Sequence, residues 1–141
     1  MNAREIAFKV LSDIEKNKNY SNMSINKHFK ELEIKDQDRG FTTELIYGVI
    51  ENRNYLDYIM DKLSKMKSEK MQMHVRIFLE MGIYQILFLD SVSDYAAVNE
   101  TVNLVNGFDK KSSGFVNAIL RNVIRQKETI AKVDITDNIM Y

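Results

Sequence analysis

The densest chemical pattern in the 141-residue sequence lies near its end. Between residues 110 and 127 there are five basic residues, Lys110, Lys111, Arg121, Arg125 and Lys127, and no acidic one. Arg121 and Arg125 stand one helical step apart and share a face with Asn117, opposite the stripe of Phe115, Ile119 and Val123. A solvent-facing row of this kind suits phosphate, because each planar guanidinium can donate two parallel hydrogen bonds to its oxygens. Cations near the end of a helix also complement its dipole, and the pattern weights the two readings equally. Arg4 adds a weaker sign. It falls in the first turn of an expected helix, where positive charge opposes the dipole, which hints at a partner for it.

Other chemistries lack their equipment. There is no cysteine, so disulfides and thiolate zinc sites are excluded. The two histidines, His28 and His74, fall in different expected helices and make neither a metal cluster nor a serine–histidine arrangement. No clustered glycines sit between a strand and a helix, as a nucleotide-binding loop requires. Carboxylate pairs occur, but no local context suggests a shifted pKa. No catalytic, cofactor-binding or metal-binding residue is therefore expected. His74 reads as a cap or surface group at the start of an apolar helix. The tyrosines, Tyr47, Tyr55, Tyr58, Tyr84 and Tyr95 among them, read as core or core rim.

The charge is balanced, with 20 basic and 20 acidic residues, so any case for a nucleic-acid partner rests on where the cations sit. The most apolar run, residues 77–89, is interrupted by Glu80 and Gln85 and is shorter than the roughly 20 residues of a membrane span. The first residues enter an amphipathic pattern directly, with no secretory signature. Together with the absence of cysteine this fits a cytoplasmic protein with no membrane partner.

The elements that must position the cations are all helical. Proline is absent and glycine is scarce, which leans the chain toward helix. A first helix is expected over residues 2–17, with Asn2 and Glu5 as a capping box. A second starts at Ser21. A third is capped by Asp36 or Asp38, and a phase shift around residues 52–54 predicts a corner before a fourth. The fifth, residues 69–89, is apolar nearly all round and reads as the central helix. Ser93 or Asp94 caps the sixth, which Gly107 ends. Ser112 or Ser113 caps the last. The expectation is an all-α bundle of about seven helices over residues 1–127, with residues 128–141 as the start of a linker.

Three stretches carry a family resemblance. They are Ala3-Arg4-Glu5-Ile6-Ala7-Phe8-Lys9-Val10-Leu11, Tyr95-Ala96-Ala97-Val98-Asn99-Glu100-Thr101-Val102 and Gly114-Phe115-Val116-Asn117-Ala118-Ile119-Leu120-Arg121. Together they resemble the NusB-like helical domain, collinearly over residues 2–126. Two phrases, Glu44-Leu45-Ile46-Tyr47-Gly48-Val49-Ile50 and the run from Phe115 to Arg125, resemble one branch of it. That branch is the N-terminal domain of the ribosomal small-subunit RNA cytosine-5 methyltransferases (the RsmB, Sun or Fmu type). Free NusB factors usually carry glycine at the position of Ala118 and lack the second arginine. The resemblance implies a non-catalytic RNA-binding and docking domain, with ribosomal RNA and a linked methyltransferase domain as partners. S-adenosylmethionine would belong to that linked domain, beyond residues 128–141. Methylation in this family implies a cysteine nucleophile and a glycine-rich cofactor fold, neither of which this chain has. The RNA-binding residues implied are Arg4, Lys9, Lys110, Lys111, Arg121 and Arg125. The alternative is a free-standing antitermination factor that binds a boxA-like RNA and a ribosomal protein; only Arg4 and Lys9 match the basic region which that reading needs. Asn99 and Glu100 are read as capping or packing groups, and Asn117 as a bond across helices.

Overall fold

The computed structural model describes residues 1–18 and 22–130, with the side chains of residues 22–24 left aside. Six α-helices make up the fold: α1 (Ala3–Asn17), α2 (Asn22–Leu32), α3 (Asp36–Leu63), α4 (Met73–Phe88), α5 (Asp94–Phe108) and α6 (Ser113–Arg125). One-turn 3-10 helices cover Ser68–Lys70 and Lys110–Ser112, and residues 127–130 add a last helical turn. Among the described residues there is no strand.

The N-terminal capping box forms as its residue types require. Asn2 accepts from the Glu5 backbone N–H at 2.9 Å, and the Glu5 carboxylate accepts from the Asn2 N–H. Ser93 caps α5 by accepting from the Ala96 N–H at 3.0 Å. Helix α4 is the hub and packs against α1, α3, α5 and α6. Buried residues run through almost its whole second half, as its nearly all-round apolar character demands, and Glu80 and Gln85 are buried with them. Two glycines permit close approach to its neighbours. A Cβ on Gly82 would stand 2.6 Å from Leu120 of α6, and one on Gly48 would fall inside the Tyr84 ring. Helix α1 runs antiparallel to α4, since Arg4 meets Gln85 and Phe8 stacks on Phe78 at 4.0 Å between centroids.

Several expectations are corrected. The corner at residues 52–54 does not exist, and α3 is one helix of 28 residues. Its inward row continues from Leu45, Ile46 and Val49 through Arg53 and Asp57 to Ile59 and Met60. Charged residues at inward positions look like a change of phase. The expected fifth helix is divided, because Met71 and Gln72 are extended between the 3-10 turn and α4. Gly107 lies inside α5, which Asp109 ends instead, and no described glycine has positive φ. Ser112 precedes α6 without capping it, its hydroxyl being bonded to Asp109. Ser21 falls outside the described residues. Ile130 is buried in the core, and the linker expected from residue 128 onward lies, past Ile130, outside the described residues.

Candidate nucleic-acid interface

Three side-chain contacts fix which helix ends meet. Arg4 Nε donates to Gln85 Oε1 at 2.7 Å, and the Gln85 amide donates to Thr101 Oγ1 at 3.2 Å and to the Met81 carbonyl at 3.0 Å. Lys127 Nζ reaches Asp94 Oδ1 at 3.1 Å. One end of the bundle therefore gathers the start of α1, the last turns of α4, the start of α5 and the end of α6. Arg125, in the last turn of α6, belongs to this end and is exposed. Tyr95 is also here, 75% exposed at the start of α5, where a core or rim position was expected.

Arg4 sits here too, but it is occupied within the fold. Besides the bond to Gln85, its guanidinium lies over the Phe41 ring at 4.9 Å from the centroid. Burial lowers its pKa, and the charge of Glu100 opposes that shift. Arg121 is exposed and donates through Nε to Asn117 Oδ1 at 3.1 Å. Asn117 thus bonds along its own helix and braces the arginine, rather than bonding across helices. The face shared by Asn117, Arg121 and Arg125 is therefore formed, with one arginine held in place.

Lys110 and Lys111 are exposed at the opposite end, in the 3-10 turn that leads into α6. A 13-residue α6 is about 20 Å long, so the two cation pairs mark its two ends. Asp109 precedes the lysines. The Ser112 hydroxyl and His74 bond its carboxylate, at 2.6 and 2.8 Å, and hold its pKa below the usual carboxylate range. His74 is thus a bracing group between α4 and the end of α5, with its ring tilted on Phe108. Among the described residues, Lys110, Lys111, Arg121 and Arg125 have no acidic partner.

Lys9 is exposed on the wall of a groove of about 730 Å³ between α1 and α5. Phe8, Phe78 and Phe108 floor this groove, and Phe108 is 59% exposed. Its rim is mixed in sign, with Lys9 and Lys16 facing Glu5, Asp13 and Glu100. The six cations therefore do not form one patch: Arg121 and Arg125 stand together, Lys110 and Lys111 stand together, and Lys9 and Arg4 lie apart on α1.

The buried charges inside α4 and α3 escaped the sequence reading. Glu80 is 0% exposed, with a pKa pushed up to about 8 by burial and by the neighbouring Asp57. The expectation that no carboxylate is perturbed is thus corrected. The available signal was Glu80 alone in an apolar run, with Arg76 one turn before it.

The chain belongs to the NusB family, whose profile matches residues 1–125. It is 35% identical over 124 residues to the probable ribosomal RNA small subunit methyltransferase B of Bacillus subtilis, covering 87% of this chain and 28% of that protein. The corresponding Synechocystis protein is 35% identical over 130 residues, with 91% and 29% covered. The transcription antitermination protein NusB of Acetivibrio thermocellus is 28% identical over 127 residues, with 89% and 88% covered. The chain thus spans under a third of the methyltransferase relatives and most of the antitermination relative. Among solved structures, NusB of T. maritima has the same fold at a TM-score of 0.77 and 20% identity, covering 89% of this chain and 93% of that one. A chain from the crystal structure of a plectonemic RNA supercoil reaches 0.80 at 24% identity, covering 90% and 94%. Among the described residues no helix is long and apolar enough to cross a membrane.

Proposed function

We propose that this chain is the RNA-docking domain of a cytoplasmic ribosomal small-subunit RNA cytosine-5 methyltransferase. It would position the RNA for a linked domain that holds S-adenosylmethionine. The observation that carries the reading is the exposed Arg121–Arg125 row on α6, free of acidic partners among the described residues and followed at the helix start by Lys110 and Lys111. Guanidinium groups presented in this way pair with phosphate oxygens, and Tyr95 at the same end offers a ring on which a base can stack. The 35% identity to two methyltransferases, against 28% to an antitermination factor, supports the enzyme-linked branch. The chain's own five glycines all lie singly within helices, and this reading assigns the cofactor chemistry to the linked domain. Lys9 is a more distant contact. Arg4 serves the fold, holding the start of α1 to α4.

The test is binding of the chain to small-subunit ribosomal RNA fragments across a salt series, read by fluorescence anisotropy. Affinity is expected to fall steeply with salt and to drop further in Arg121→Ala/Arg125→Ala. A flat salt response, or an unchanged double variant, would overturn the assignment of these residues.

The 28% identity to an antitermination protein over 127 residues supports a second reading, a free-standing adaptor. That reading requires a ternary complex with a boxA-like RNA and a ribosomal protein, and the absence of such a complex in gel filtration removes it.

A further inference from the structure

Three helices meet at a half-buried cluster of charge, centred on the fully buried Glu80, that the RNA reading does not use. Helix α1 contributes Glu15, α3 contributes Arg53 and Asp57, and α4 contributes Arg76 and Glu80. Arg76 binds Glu15 and, through Nη1, Glu80 Oε2 at 2.9 Å. Arg53 lies 3.5 Å from Glu80 Oε2 and 3.8 Å from Glu15 Oε2. Asp61, one turn beyond Asp57, adds a further negative field from the rim, where its carboxylate accepts from the Ser68 N–H at 2.6 Å.

Three carboxyls thus face two guanidiniums. If all five were ionised, one negative charge would be left uncompensated beside the fully buried Glu80, which burial there disfavours. The oxygens locate the discrepancy. Arg76 hydrogen-bonds Glu80 Oε2 and Arg53 pairs with the same oxygen, whereas Glu80 Oε1 and Asp57 Oδ1, and Glu15 Oε2 beside Arg53, are buried and receive no hydrogen-bond donor among the described residues. The Asp57 and Glu80 side chains are nonetheless within hydrogen-bonding reach of each other. Two carboxylate oxygens cannot hydrogen-bond without a proton between them, because ionised carboxylates only accept.

We propose that Asp57 and Glu80 share one proton at neutral pH, and that this proton locks α3 to α4 beneath the end of α1. The proton supplies the missing donor and removes the uncompensated charge in one step. The carboxyl that carries it is Glu80, the more deeply buried of the two, and the pair titrates as a unit.

The sign of the pH dependence follows. Burial, with Asp57 beside it, pushes the Glu80 pKa from 4.5 up to about 8 in the folded chain. Between those values the folded state holds a proton that the unfolded state has released, so stability falls as pH rises through this window and levels off above it. Glu80→Gln keeps a neutral donor at the same place and has no proton to lose. The lock therefore predicts a thermal midpoint that declines from about pH 5 to about pH 8 in the natural chain, with that decline largely removed in the Gln variant.

The experiment is a carbon-13 carboxyl NMR titration of the folded chain, with melting curves of both proteins at each pH. A Glu80 resonance that titrates near pH 8 supports the lock. Titration of Glu80 in the ordinary carboxylate range overturns it, as does an equal pH slope in Glu80→Gln. If the Gln variant fails to fold, the titration of the natural chain decides alone.

Discussion

At the scale of single residues, polar side chains in apolar surroundings do the organising. Gln85 looks like an interruption of an apolar run, yet each part of its amide is used. It accepts from Arg4 and donates to the Met81 carbonyl and to Thr101, tying α1, α4 and α5 together. Arg4 looks misplaced in a first turn, where the dipole opposes a cation. The bond to Gln85 and the contact with Phe41 offset that cost. Arg4→Ala would leave the buried Gln85 oxygen without its donor, a loss of about 1–3 kcal/mol. Urea denaturation should show it as a lower midpoint with an unchanged slope, and RNA binding by the folded variant should be close to that of the natural chain. An unchanged midpoint together with weakened RNA binding would return Arg4 to the interface. Tyr95 has the opposite profile. It is exposed and, at the start of α5, supports no core, so Tyr95→Ala is expected to leave the melting curve nearly unchanged. If a base stacks on it, RNA affinity falls by about 1–3 kcal/mol at constant salt slope, measurable by anisotropy.

At the scale of elements, legibility followed the period of apolar residues and failed where charge replaced them. Helices α1 and α5 could be placed from their caps, and α4 from its all-round apolarity. The sequence pattern divides α3 because Arg53 and Asp57 occupy inward positions, where a charge in a single sequence looks like an outward face. Their partners Glu15, Arg76 and Glu80 come from other helices, so no local window could identify them. Gly107 misled for a related reason: glycine is a frequent helix terminator, but α5 continues one residue further and ends on Asp109, which is held by His74 and Ser112. The continuity of α3 has a direct test at Asn54, an exposed helical residue inside the expected corner. A proline there removes a helical N–H and crowds the preceding turn. Asn54→Pro is therefore expected to cost about 3 kcal/mol or more by chemical denaturation. A corner at this place would tolerate the substitution with little change.

At the scale of the whole molecule, the cations singled out in the sequence are distributed rather than pooled. The α6 pattern alone could not say which ends of the bundle its two pairs would reach, because that depends on α4 and α5 folding back beside it. The Lys127–Asp94 contact sets Arg125 beside the start of α5, whereas Lys110 and Lys111 follow Asp109 at the other end. Net charge is zero, so there is no long-range attraction of one sign, and affinity for RNA must come from local phosphate contacts. A strand lying along α6 would meet both pairs, about 20 Å apart and with no partner in common. Each pair should then act independently. For single-stranded RNA, removing two phosphate contacts reduces the slope of log affinity against log salt by about 1.4. Arg121→Ala/Arg125→Ala and Lys110→Ala/Lys111→Ala are each expected to give that change, and the fourfold variant their sum. A silent lysine pair would confine the strand to the Tyr95 end. A silent arginine pair would move the interface to the other end, beside the groove that Lys9 borders, and would remove the observation on which the docking role rests.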